Sequence, residues 1–225
     1  MLHLGTIRGT TMTVDPSFFL LLVFFLVMNY QPELGMRYAL LWIPVLFISV
    51  LVHELAHAAM FGMFGYGSSR VILGGMGGVT INEGRVRHVR PGHDLIISVA
   101  GPLSSVLLAI AFTLLAIRVP RVYADPMMRA LIPMMISANW FWAKINMIPL
   151  KPLDGGHAVR SFFRLFLKER GAFIVAAWIG ITVGAVIALY LAMNRRFYMA
   201  MFIAFMTFQQ YLQWQEFRAR GVIGD

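Results

Sequence analysis

Apolar residues fall into six long runs, at about 17–30, 38–64, 95–117, 130–149, 172–193 and 197–214, separated by short polar stretches rich in arginine. Each run approaches the ~20 residues a helix needs to cross a hydrocarbon core, the first and last being shortest. The first run begins after 16 residues, and no small-residue cleavage site follows it, so it reads as a retained span rather than a signal peptide. Two stretches have a different rhythm. Leu4 to Val14 alternates with Thr and Ile and predicts a short strand. Arg70 to Asn82, RVILGGMGGVTIN, carries β-branched residues on both sides of a glycine cluster and predicts a bent strand or hairpin, with Asn82-Glu83-Gly84 as a turn. Backbone groups of a lipid-exposed strand would go unsatisfied. The two segments are therefore expected to pair at the membrane interface and leave one edge free, although a hairpin that only plugs the helix bundle fits the same pattern. Gly156 to Lys168, with Arg160, Arg164 and Lys168 at helical spacing among phenylalanines, predicts an interfacial helix whose bases meet lipid headgroups. The expected fold is an all-α polytopic membrane protein of about six transmembrane helices. It carries a small membrane-associated β-sheet at the cytoplasmic side, in a single domain over 1–225.

Composition supports the membrane class. Of 225 residues, 59% are hydrophobic and only 13% charged, where a soluble domain has about a quarter charged. The formal charge of +9 would suit nucleic acid, but its sources sit in loops between spans, so no nucleic-acid partner is expected. Six crossings put both termini on one side. That side holds Arg8, Arg70, Arg85, Arg87, Arg90, Lys151, Arg160, Arg164, Lys168, Arg170, Arg218 and Arg220. The opposite side holds only Arg37, Arg118, Arg121, Arg129, Arg195 and Arg196. By the positive-inside rule both termini are cytoplasmic. With no cysteine, any metal must be held by His, Asp or Glu.

The second run contains His53-Glu54-Leu55-Ala56-His57. Two histidines four apart on a helix are rotated by only ~40°, so both imidazoles can reach one metal ion. Glu54 is the residue type that activates a metal-associated water. An ionisable cluster in a span costs roughly 2.5–3.5 kcal/mol per charged group and is read as functional by default. Its place in the second half of the run opens it towards the cytoplasmic leaflet. A catalytic zinc needs a third protein ligand. Asp15 and Asp94 precede apolar runs and read as helix caps, Glu83 lies in a turn, and Glu33 and Asp125 lie in loops on the far side. Asp154, in PLKPLDGGH after the fourth run, is the candidate, and His157 is its alternative. Pro149 and Pro152 break the helix there, and Gly155-Gly156 allow a close backbone turn. Asn139, Lys144 and Asn146 mark either a polar path for water or, for Lys144, a snorkelling side chain and, for the asparagines, helix-pinning amides. Pro44 is expected to bend the second span.

These motifs carry a family resemblance. HELAH in an early span, with Asn146-Met147-Ile148-Pro149-Leu150-Lys151-Pro152-Leu153-Asp154-Gly155-Gly156 after a later one, resembles the site-2 protease family of intramembrane zinc metalloproteases. SVAGPLSS, with Gly101 and Ser105 four apart, is similar to that family's small-residue motif. The resemblance implies one catalytic zinc ion on His53, His57 and Asp154, with Glu54 as general base. It also implies a substrate groove lined by Asn146 and Pro149, and a sheet formed by Arg70–Asn82 whose edge takes substrate as an added strand. Implied substrates are single-span membrane proteins such as anti-sigma factors or membrane-tethered transcription factors, cut in or near the bilayer of a prokaryotic cell. A compact form is expected, without the PDZ insert or cystathionine-synthase-type domain of some members. Intramembrane His and Asp with broken helices also describe a metal-binding transporter, and a non-catalytic scaffold would keep the same metal site for structure.

Overall fold

In the computed structural model, which describes residues 1–33, 35–84 and 88–222, the chain is mostly helical with one small sheet. It divides into two compact units: Met1–Val89 with Ala100–Lys144, and Arg90–Val99 with Ile145–Asp225. Arg85 and Arg87, assigned above to the side of the termini, lie outside the described residues.

The first unit opens with strands β1 (Leu2–Ile7) and β2 (Thr10–Val14). The segment expected to be one strand is thus a hairpin. Its two-residue turn places Arg8 at φ 48° and Gly9 at φ 82°, the paired positive values that match the twist of flanking strands. Strands β3 (Ser69–Gly74) and β4 (Gly77–Asn82) form the second hairpin. The segments do pair, through parallel β2 and β3, giving the order β1-β2-β3-β4. Both β1 and β4 are therefore outer strands, not one free edge.

Helix α1 (Ser17–Met28) follows β2 directly. Asp15 caps it one residue ahead of the boundary, accepting the Ser17 N–H at 2.9 Å and the Ser17 hydroxyl at 2.6 Å. These bonds hold the Asp15 carboxyl below the usual carboxylate range. The Ser17 hydroxyl in turn accepts the Gly75 N–H at 2.9 Å, fastening the β3–β4 turn to the head of α1. The second apolar run is split into α2 (Met36–Leu40) and α3 (Trp42–Met63). Pro44 has no N–H for the carbonyl of Leu40, and the break falls at that turn rather than at the proline itself. Packed on α3 are α1, β3 and β4. Their core joins Met12, Val14, Phe18, Leu46, Val50, Val71, Leu73 and Trp142. A second cluster joins Val45 to Met135 and Ala138 of α5 (Pro126–Asn146).

Helix α4 (Pro91–Arg118) changes unit between Val99 and Ala100. In the second unit, α6 (Asp154–Phe163) begins and ends earlier than the interfacial helix expected over 156–168. Two of the three bases expected to meet lipid headgroups have acidic partners within the protein. Arg160 pairs with Glu169, and Arg164 bonds Glu169 at 2.8 Å and Asp94 at 3.0 Å. Asp94 is not the cap foreseen either. It lies in the first turn of α4 and accepts the Ser161 hydroxyl at 2.5 Å. Helices α7 (Glu169–Met193) and α8 (Phe197–Val222) form an antiparallel pair. Ala172, Ala176, Ala177, Gly180 and Gly184 line the buried face of α7 and let the backbones approach closely. A β-carbon at Gly184 would collide with the Thr207 hydroxyl.

Among the described residues, three stretches are long and apolar enough to cross a membrane: Met36–Met63, Pro91–Arg118 and Glu169–Met193. Ser17–Met28 is apolar but shorter. Helices α5 and α8 cover the two remaining expected spans without being as apolar.

Candidate functional site

The first unit brings His53, Glu54 and His57 together on the last turns of α3, all buried although two are imidazoles and one a carboxylate. Residues so costly to bury need compensation from their neighbours. The imidazole rings lie 5.0 Å apart and nearly perpendicular. Their Nε2 atoms converge on Gly101 of α4. A β-carbon there would collide with His57 Nε2 and stand 2.6 Å from His53 Nε2. Glycine thus keeps open the space into which two nitrogen donors point, as a metal centre requires. The donor chemistry, paired imidazoles without thiolates, suits zinc.

On the far side of the His53 ring, Nδ1 lies 3.1 Å from the Ser105 hydroxyl, which is completely buried. One turn before His53, the Ser49 hydroxyl accepts a 2.9 Å hydrogen bond from Asn139 Nδ2. Asn139 also donates to the Met135 carbonyl at 2.8 Å. It therefore pins α5 to α3, the second of the two roles foreseen for it. Its own carbonyl oxygen is buried without a hydrogen-bond partner among the described residues.

Glu54 faces strand β4. The Thr80 hydroxyl lies 2.7 Å from Glu54 Oε2 and 3.0 Å from the Glu54 carbonyl. Two residues earlier on the same face, a β-carbon at Gly78 would collide with Glu54 Cγ and lie 2.6 Å from Oε1. At Gly77, with φ 114°, a β-carbon would stand 2.6 Å from Trp142 Cζ2. Gly77 and Gly78 thus admit large side chains of α5 and α3, while a β-carbon at Gly75 would stand 3.1 Å from the Ser17 carbonyl oxygen.

The second unit holds the other predicted residues in one segment. Asn146 ends α5 and is half-buried, Pro149 lies in the following turn, and Asp154 opens α6 half-buried. The loop between folds tightly on itself. Leu150 N–H bonds the Ile148 carbonyl at 2.7 Å, and Leu153 N–H bonds the Leu150 carbonyl at 2.8 Å. β-Carbons at Gly155 and Gly156 would lie 2.5 Å from the Ile148 carbonyl oxygen and 2.7 Å from the Leu150 carbonyl carbon, so both must be glycine. Buried Leu150 anchors the loop against Ile203 and Met206 of α8. Lys151 N–H donates to Gln210 Oε1 at 2.9 Å, while Gln210 Nε2 donates to the carbonyls of Ala177 at 3.1 Å and Ala176 at 3.3 Å. Partial burial holds the Lys151 ammonium below its ordinary pKa. His157, the alternative ligand, is exposed. Lys144 lies with Nζ 5.8 Å from the Trp140 ring centroid, a cation–π contact on an exposed face.

Ser105, Thr80 and Gln210 were not assigned to the site from sequence. Ser105 stood out only as a small residue four after Gly101, and Thr80 only as a β-former. Gln210 shares the run at 197–214 with Gln209 and Gln213, so its being an amide did not by itself mark it out for a buried role.

A family model described as peptidase M50B-like matches residues 17–150. The chain is 34% identical over 148 residues to Rip3 of Mycobacterium tuberculosis, covering 65% of this chain and 36% of the relative. It is 25% identical over 189 residues to the zinc metalloprotease MJ0392 of Methanocaldococcus jannaschii, covering 84% of this chain and 52% of the relative. The chain thus spans a third to a half of the length of these curated relatives. Among solved structures, the site-2 protease from Methanocaldococcus jannaschii superposes with a TM-score of 0.59 at 24% identity, over 93% of this chain and 94% of that one.

Proposed function

Because the chain belongs to the M50B-like peptidase family, we propose that it is an intramembrane zinc metalloprotease hydrolysing peptide bonds in or near transmembrane segments of membrane-protein substrates. The observation that carries this reading is the convergence of His53 and His57 Nε2 on the space left by Gly101, with Glu54 on the same helix turn. His53, His57 and Asp154 would supply the three protein ligands of one zinc ion. When bound, zinc supplies Lewis acidity that makes water a better nucleophile and polarises the scissile carbonyl.

The remaining chemistry falls to the chain. The Glu54 carboxylate takes the proton of the attacking water and returns it to the leaving amine. Burial among apolar walls excludes bulk water and strengthens each of these interactions. An α-helical substrate hides its peptide bonds, so the target must unwind. Outer strand β4 would give the freed backbone hydrogen-bond partners, and Asn146 and Pro149 would border its path. The substrates fitting this chemistry are single-span membrane proteins, of the kind represented by anti-sigma factors and membrane-tethered transcription factors. Six spans, with α1, α5 and α8 added to the three long apolar stretches, would leave both termini and the site's mouth on the cytoplasmic face of a prokaryotic membrane.

The test is cleavage of a panel of single-span substrates by zinc-loaded protein. Glu54→Gln should lower kcat roughly 100–10,000-fold with zinc content unchanged, and a chelator should abolish turnover reversibly. Cleavage that persists in the metal-loaded Glu54→Gln protein would overturn the proposal.

A further inference from the structure

Strand β4 presents alternate faces to different surroundings. Val79 and Ile81 are about half exposed, whereas Gly78 and Thr80 point at α3. Gly78 leaves room for Glu54, and Thr80 supplies a hydroxyl to it. A hydroxyl has one proton. It is 2.7 Å from Oε2 and 3.0 Å from the Glu54 carbonyl, and the shorter, charge-assisted contact to the carboxylate is the stronger acceptor. The carboxylate is thereby held from a second element, independently of the helix that carries it. That second element is an outer strand, on which an unwound substrate backbone would pair.

We propose that Thr80 is a positioning residue for Glu54: its hydroxyl fixes the general base from strand β4, so the strand that would receive the substrate also sets the aim of the carboxylate. This rests on the hydrolytic reading of Glu54 above. Threonine fits both demands. Its β-branch suits a strand that pairs with Val71 of β3, and its hydroxyl reaches Glu54 over the gap left by Gly78.

Three variants separate hydroxyl from shape. Thr80→Val keeps the branch and removes the donor, Thr80→Ser keeps the donor and removes the branch, and Thr80→Ala serves if Thr80→Val fails to fold. In zinc-loaded protein, Thr80→Val should lower kcat roughly 10–100-fold, the worth of one hydrogen bond to a charged group. KM and zinc content should stay at the wild-type level, and Thr80→Ser should restore most of kcat. A kcat unchanged in Thr80→Val, or equally depressed in Thr80→Ser, overturns the assignment. A second readout needs neither zinc nor turnover. With 13C-labelled glutamate, the infrared difference between wild type and Glu54→Gln isolates the Glu54 carboxylate band in metal-free protein. That band should shift in Thr80→Val and return in Thr80→Ser, and a band that does not move in Thr80→Val overturns the assignment. If wild type fails to cleave any substrate while the band behaves as expected, the hydrolytic reading falls and the Thr80–Glu54 hydrogen bond stands.

Discussion

An imidazole that offers Nε2 to a cation must carry its proton on Nδ1, so whatever faces Nδ1 chooses the tautomer and aims the ring. For His53 that partner is the Ser105 hydroxyl, 3.1 Å away and completely buried. By holding Nδ1, the contact aims Nε2 into the space that Gly101 leaves open. Removing the partner of an outer imidazole nitrogen typically costs 10–100-fold in metal affinity. Ser105→Ala should therefore weaken zinc binding by about that factor in a chelator competition, beyond the few degrees of melting temperature that losing one buried hydrogen bond costs the metal-free protein. Zinc affinity equal to wild type would show that Ser105 only packs. Nothing in sequence spacing announces such a role. The HELAH spacing puts two imidazoles on one helix face by local geometry alone, and so it is legible. The Ser105 contact depends on how α3 and α4 pack, which no local pattern encodes.

At the scale of elements, the segment carrying Asp154 is held by a side chain that the motif does not contain. Gln210 of α8 is buried and satisfies both ends of its amide, accepting Lys151 N–H and donating to two carbonyls of α7. Gly180 leaves the room for it, since a β-carbon there would collide with Gln210 Nε2 and the Pro149 carbonyl. Gln210→Leu keeps the volume but strands a polar N–H in the loop, at a cost of about 1–3 kcal/mol. Hydrogen exchange across 147–153 should speed up and the melting temperature fall by a few degrees. Unchanged exchange at Lys151 would mean that the glycines and Leu150 hold the loop without the amide. Helices α1, α3, α4, α5, α7 and α8 were visible in sequence as apolar runs, and α6 as an amphipathic one, with ends moved by up to eight residues. The first hairpin was not, because Arg8 adopts a positive φ that its side chain does not advertise and only Gly9 signalled the turn. The fate of Arg160 and Arg164 was hidden for a related reason. Their acidic partners, Asp94 and Glu169, come from other helices.

For the molecule as a whole, orientation bears on the proposed activity, because the leaflet that His53 and His57 face would decide which end of a substrate span unwinds towards them. Basic residues in short loops resist translocation, and six crossings would put about twice as many of them on the side of the termini. Their weight does not rest on free charge in the folded state, because Arg160 and Arg164 are paired there. The rule acts during insertion, before those pairs form. The chain has no cysteine, so single cysteines report location without background. His3→Cys and Ala219→Cys, at exposed positions near the two ends, should react with a membrane-impermeant maleimide only when the cytoplasmic face is opened. Ala124→Cys, exposed between α4 and α5, should react in intact cells. Labelling of the two ends from opposite faces would mean an odd number of crossings. It would remove one of α1, α5 and α8 from the set of spans, and those are the helices outside the three long apolar stretches. Labelling of both ends from outside would keep six crossings and turn the mouth of the site to the opposite leaflet.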